Sequence, residues 1–195
     1  MTAQRIKKLT IEEYVELERS TNTKYEYHNG EVFALAGGTI NHSILCSRIN
    51  FHLGTKLNES KKDCEVFNSE MKLSLAAYNY GYVYPDAMVV CGEFKQASNF
   101  KDAITNPILI VEVLSKNSVA YDKGEKFHKY RSIKSFQEYL LISQDKPLVE
   151  VYYRKPNTDT WQINSYKGLE ASFQLQSLQI EIEMKELYNK VIFEN

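Results

Sequence analysis

Two carboxylates stand where carboxylates are costly. Glu112 lies in Ile108-Leu109-Ile110-Val111-Glu112-Val113-Leu114, with core-forming residues on both sides. An unpaired carboxylate in such surroundings costs several kcal/mol or takes a large upward pKa shift. Either a structural Arg or Lys pairs with it, or it is a metal ligand or a tuned acid or base. Asp86 is the second carboxylate. It follows Pro85 and precedes the apolar run Ala87-Met88-Val89-Val90. A neighbouring strand would bring it within a few ångströms of Glu112, and two like charges that close need a cation between them or a proton on one.

The elements that must position this pair can be read from pattern. Ile108 to Leu114, the most apolar stretch, predicts a central strand, and Val83 to Val90 a neighbour entered at Pro85. Cys64 to Leu75 reads as a further strand. Thr10 to Leu17 predicts a short helix, with Thr10 and Glu13 at capping-box spacing. Tyr25 to Leu35 predicts a hairpin turned at Asn29-Gly30. Asn41 to Asn58 predicts a long helix whose buried stripe holds Ile44, Leu45, Ile49, Leu53 and Leu57. A second helix is expected over Asp122 to Ile133 and a strand over Glu138 to Ile142. Strands then alternate over Val149 to Arg154, Trp161 to Tyr166 and Ser172 to Ile182, before a closing helix at Met184 to Tyr188. This order predicts an α+β fold with a mixed sheet, and no repeat or linker divides residues 1–195 into more than one domain.

Composition narrows the partners. A net charge of −1 lacks the basic excess of proteins that grip long duplexes through many phosphates, so nucleic acid would be held by a local patch or a metal. No run is long and apolar enough for a membrane span, and Met1 to Asn22 is polar, so a cytoplasmic location is expected. Cys46, Cys64 and Cys91 lack metal-ligand spacing and are read as three reduced thiols. Tyr78, Tyr80, Tyr82 and Tyr84 alternate, which fits core or dimer contact better than base stacking. Ser20, Ser115 and Ser118 lack a nucleophile-elbow context, which argues against a serine hydrolase.

Tyr84-Pro85-Asp86 followed about twenty-five residues later by Ile110-Val111-Glu112-Val113-Leu114-Ser115 resembles the PD-(D/E)XK nuclease superfamily. Four further stretches are similar to the Uma2 family (DUF820) of restriction-endonuclease-like proteins: Tyr25 to Glu31, Ala36 to His42, Tyr121 to Phe127 and Gln137 to Ile142. The resemblance runs from about Leu9 to Val191. It implies a restriction-endonuclease-like core with an antiparallel C-terminal extension. It also implies Mg²⁺ or Mn²⁺ held by Asp86, Glu112 and the Val113 carbonyl, and endonuclease activity on nucleic acid, with DNA expected.

One departure matters. The superfamily lysine belongs two residues after the glutamate, where this chain has Leu114. Lys126 is the candidate replacement, with Lys123 nearby and Lys129 well around the helix; replacing Lys126 is expected to spare folding. Glu31 and His42 fall in the matching stretches and are further candidates, His42 for a phosphate or the attacking water. Glu26 reads as a partner of Lys24 or another surface cation. A homodimer is expected from the strand-rich C-terminus and the symmetry of duplex cleavage. The alternative is a catalytically silent nucleic-acid-binding or regulatory module that keeps the fold.

Overall fold

The structure is a computed structural model that describes residues 5–6, 8–35, 37–75, 81–98 and 100–193. Thr10 caps α1 (Ile11–Thr21): its hydroxyl accepts from the Glu13 N–H at 3.2 Å, and the Glu13 carboxylate accepts from the Thr10 N–H at 2.8 Å. The expected hairpin is β2 (Tyr25–His28) and β3 (Glu31–Ala34). Asn29 and Gly30 turn it at φ +48° and +88°, the left-handed pair a two-residue turn requires. The short β1 (Arg5–Ile6) adds to β3.

Thr39 caps α2 (Ile40–Glu59) by accepting from the His42 N–H at 3.1 Å. Its stripe Leu45, Ile49, Leu53 and Leu57 is buried, each side chain worth roughly 1.5–3 kcal/mol. Two long strand expectations break up. Cys64 to Leu75 is β4 (Cys64–Asn68) and β5 (Lys72–Ser74), which belong to different sheets. Val83 to Val90 is β6 (Tyr82–Val83) and β7 (Ala87–Cys91), again in different sheets, with Pro85 and Asp86 in the gap. Strands β8 (Gln96–Ala97) and β9 (Phe100–Ile104), with β1, were not legible as apolar runs.

The central sheet is six-stranded, in the order β13-β12-β11-β10-β7-β4. Here β10 is Leu109–Leu114, β11 Glu138–Ser143, β12 Leu148–Arg154 and β13 Trp161–Lys167. β10 runs parallel to β11 and antiparallel to β7, which makes the sheet mixed. The β10–β11 crossover carries α3 (Val119–Tyr121), a π turn over Asp122–Lys126 and α4 (Phe127–Tyr130), in place of the single helix expected over Asp122 to Ile133. Ser172 to Ile182 is not one strand but a hairpin, β14 (Ser172–Leu175) and β15 (Ile180–Glu183), followed by α5 (Met184–Leu187).

Helix α2, the β14–β15 hairpin and α5 cover one face of this sheet, over Ala87, Val89, Leu109, Val111 and Val113. Met88, Val90, Ile110, Leu114 and Tyr139 meet Tyr130, Ile133 and Phe136 on the other. The second sheet, β1-β3-β2-β6-β5-β9-β8, packs a smaller core around Tyr14, Tyr25, Tyr27 and Tyr82. Tyr82 is thus a core residue, stacked on Tyr14, while Tyr78 and Tyr80 lie outside the described residues.

The expectation of three reduced thiols does not hold. The β4–β7 register sets Cys64 directly opposite Cys91 and the two form a disulfide, leaving Cys46 free. Among the described residues no helix is long and apolar enough to cross a membrane.

Candidate active site

The site forms where two strands part. Pairing of β7 with β10 ends at Ala87 opposite Val111, whereas β10 stays paired with β11 through Leu114 opposite Ser143. Asp86 sits at this parting, and its Oδ2 takes the Val113 N–H at 2.7 Å, replacing a ladder bond with a side-chain bond. The N–H and C=O of one strand residue point to the same side, so the Val113 carbonyl faces the same gap.

Helix α2 approaches from one face. His42 Nε2 lies 3.4 Å from Asp86 Oδ1, and Cys46, one turn on, has its Sγ 3.5 Å from His42 Nδ1. Gly38 is needed here, since a Cβ at 38 would stand 2.8 Å from His42 Nδ1. The strand alternation sends Glu112 to the opposite face, with Ile110 and Leu114. Leu114 packs into the core there, and the cation beside Glu112 comes from the crossover instead. Lys126 Nζ is 2.8 Å from Glu112 Oε1, 3.3 Å from Glu26 Oε1 and 3.8 Å from Asp122 Oδ1. The Tyr130 hydroxyl donates to the same Glu112 Oε1 at 2.8 Å.

Charge in this cluster is unbalanced. Burial would lower the Lys126 pKa, but Glu112, Glu26 and Asp122 outweigh it and hold the ammonium protonated, its pKa well raised. Burial likewise would raise Glu26; Lys126 and His28 together reverse this and bring it to about 2. Glu112 goes the other way. Burial pushes it well above the carboxylate range against the pull of Lys126, with Asp122 and Asp86 adding repulsion. Burial also raises Asp122, and the hydrogen bond to Asp86 raises His42. The carboxylates outnumber the lysine, and a proton or a cation must make up the difference.

A hard divalent cation fits that deficit. Among the described residues the polar contacts of Glu112 fall on Oε1, which leaves Oε2 to a ligand. The Asp86 carboxylate, through Oδ2, and the Val113 carbonyl stand at the same parting, and carboxylate and carbonyl oxygens are the ligands Mg²⁺ and Mn²⁺ take.

Of the sequence candidates, Asp86, Val113 and His42 meet at the strand parting, and Glu112 and Lys126 meet one strand position away. Glu31 opens β3 opposite His28, and the hairpin carboxylate that reaches Lys126 is that of Glu26. Glu26 is therefore not a surface partner of Lys24, which pairs with Glu70 instead. The signal for Glu26 was its flanking by Tyr25 and Tyr27, the same apolar framing that marks Glu112. Asp122 and Tyr130 were also missed. Lys123 pairs with Glu150 at 2.6 Å, and Lys129 is buried, 2.7 Å from Glu125 and 3.3 Å from His28 Nδ1.

A mixed sheet parted at Asp86, with helices on its faces and an antiparallel C-terminal extension, defines a restriction-endonuclease-like α+β protein. The chain belongs to the Uma2 family, described as "Putative restriction endonuclease", whose profile matches residues 11–185. It is 36% identical over 172 residues to the uncharacterized protein sll1609 of Synechocystis, covering 88% of this chain and 95% of that one. It is 32% identical over 186 residues to slr1290 of the same organism, also uncharacterized, covering 95% and 94%. A crystal structure from Anabaena variabilis, described as "a putative nuclease belonging to DUF820", superposes with a TM-score of 0.73 at 18% identity. It covers 94% of this chain and 99% of that one, and so shares the fold.

Proposed function

We propose that the protein is a Mg²⁺- or Mn²⁺-dependent endonuclease that hydrolyses phosphodiester bonds, with DNA as substrate. The observation that carries this is Lys126 Nζ standing 2.8 Å from Glu112, beside a strand parting that holds Asp86. Asp86, Glu112 and the Val113 carbonyl would hold the ion, which when bound activates a water and stabilises charge on phosphoryl oxygens. The Val113 N–H fixes Asp86, and Tyr130 with Lys126 fixes Glu112, so both carboxylates are oriented before any ligand arrives. Lys126 supplies the fixed positive charge that the strand position of Leu114 lacks. His42 faces Asp86 from the N-terminal turn of α2, where an anionic phosphate is also favoured. Glu31 has a supporting place in the hairpin that carries Glu26. An open cleft of about 750 Å³, with Asp86 in its wall, gives access past Ser43, Ser47, Asn50 and Asn68. Water attacks phosphorus, the P–O bond to the leaving sugar oxygen breaks, and the bases are untouched. A homodimer acting in the cytoplasm completes the reading, with light scattering as the check on mass.

The test is cleavage of supercoiled plasmid and of single-stranded DNA and RNA with Mg²⁺, Mn²⁺ or EDTA. Wild type should cut in the metal lanes, and Asp86→Asn and Glu112→Gln should not. A second reading, a catalytically silent module, is favoured by one fact: Lys126 is 6% exposed with three carboxylate partners, as a structural cation would be. Intact substrate in every lane with folded wild type decides for it.

A further inference from the structure

The geometry points to a separate site for a borderline-soft transition metal, Zn²⁺ above all, built from His42, Cys46 and Asp86. One ligand atom from each of the three lies within 4.8 Å of the others. His42 and Cys46 are four residues apart on α2 and so share one face of it. His42 Nε2 stands 3.4 Å from Asp86 Oδ1 and 4.0 Å from Cys46 Sγ. Ligand atoms around a tetrahedral zinc, with bonds of about 2.0 Å to N or O and about 2.3 Å to S, are separated by roughly 3.3–3.5 Å. Cys46 Sγ lies nearer Nδ1, at 3.5 Å, than Nε2, so closing the set on Nε2 asks the Cys46 thiol to change rotamer and move by roughly 1.5 Å.

Three further observations support a ligand here. Gly38 leaves the space the His42 ring occupies, and a Cβ at 38 would stand 2.8 Å from Nδ1 and make the ring shift. Cys46 and Asp86 both line the 750 Å³ cleft, so an ion has a way in and the fourth position opens onto solvent. The donor chemistry is also selective: imidazole and thiolate prefer zinc to magnesium, whereas the carboxylate set around Glu112 prefers the hard ion. Asp86 belongs to both sets. Zinc bound at His42 and Cys46 withdraws Asp86 from the hard-ion site and so inhibits cleavage; this consequence rests on the nuclease reading, whereas the zinc site itself does not.

Cobalt is the probe, because a Co²⁺–thiolate bond gives a charge-transfer absorption and a tetrahedral site gives intense visible bands. Metal-stripped protein titrated with Co²⁺ should show both at one equivalent, and Zn²⁺ should erase them. Cys46→Ser should abolish the charge-transfer band and weaken Zn²⁺ binding by about 100-fold or more, since even outer-shell partners are worth 10- to 100-fold. His42→Ala should lose the site as well, while Cys64→Ala/Cys91→Ala should keep it. Cys46→Ser should retain Mg²⁺-dependent cleavage and resist zinc inhibition. A wild-type cobalt spectrum without the thiolate band, or unchanged zinc affinity in Cys46→Ser, overturns the site. Absence of cleavage in wild type overturns the nuclease reading alone, since the cobalt spectra decide the site without turnover.

Discussion

Lys126→Met removes one charge and keeps the length of the stem, which makes it the sharpest perturbation of the cluster. At an effective dielectric near 20, the attractions of Lys126 to the Glu26 and Asp122 carboxylates at 3.3 and 3.8 Å are about 5 and 4 kcal/mol before desolvation. Desolvating the ammonium and its partners offsets most of that sum. Deleting one side of a buried ion pair nevertheless leaves buried charge uncompensated, at a net cost of roughly 3–5 kcal/mol. For a chain of 195 residues this lowers Tm by about 6–20 °C. Three carboxylate partners thus overturn the expectation, drawn from sequence, that a substitution at 126 spares folding. Lys123→Met is the control, because its pair with Glu150 is partly exposed and worth under about 1 kcal/mol. The assay is thermal unfolding of both variants, followed by turnover measured well below the lower Tm. Turnover of Lys126→Met should fall by about 10²–10³, the loss typical of one fixed electrostatic group. A variant that melts with wild type refutes the energetic reasoning. One that melts low but cleaves at the wild-type rate makes Lys126 a structural cation only.

Glu26 has its folded pKa depressed from 4.5 to about 2, so its contribution is complete above pH 4.5 and is lost as pH falls towards 2. That contribution is about 3 kcal/mol, and Glu26→Gln should flatten the stability profile between those pH values in urea melts; an unchanged slope counts against it. Glu112 has its folded pKa raised, so ionising it costs stability as pH rises above 4.5. Glu112→Gln should therefore match or exceed the metal-free wild-type Tm at pH 7 while losing Mn²⁺-dependent cleavage, and a lower Tm would contradict this. Reducing the Cys64–Cys91 bond, which closes a separation of 27 residues, should cost about 3.5 kcal/mol in denaturant titrations with and without reductant. Gly38→Ala should displace the His42 ring from Asp86 and lower the His42 pKa, read by NMR titration.

Local signals were legible wherever neighbours in sequence decide the outcome. The capping box at Thr10, the turn at Asn29-Gly30 and the apolar run of β10 each carry their cause within a few residues. The failures share one cause, dependence on partners far along the chain. Cys64 and Cys91 become a pair only through the β4–β7 register. Tyr82 to Cys91 looks continuous, yet Tyr82 pairs with β2 and Ala87 with β10, so the chain must change sheets at Pro85-Asp86. Asp86 and Glu112 stood out because carboxylates in apolar runs are costly wherever the run goes. Glu26 carried the same signal but had Lys24 two residues away, and proximity in sequence hid its true partner. The wide turn at Asp122–Lys126 has no short-range signature, and it changes the phase of every lysine after it.

That wide turn has a genetic consequence. A π turn holds one residue more than the α turn it interrupts. Deleting a single residue between Asp122 and Lys126 would close the wide turn to an ordinary α turn, which spans the same full rotation, so the residues downstream keep their facing. Such a deletion shortens only a crossover and leaves every strand, cap and apolar stripe intact. It would keep the Tyr130 hydroxyl towards Glu112 but redraw the turn itself, from which Asp122 and Lys126 reach the cluster. Frame-preserving codon loss at this one place would therefore reset the cation's position while sparing the architecture.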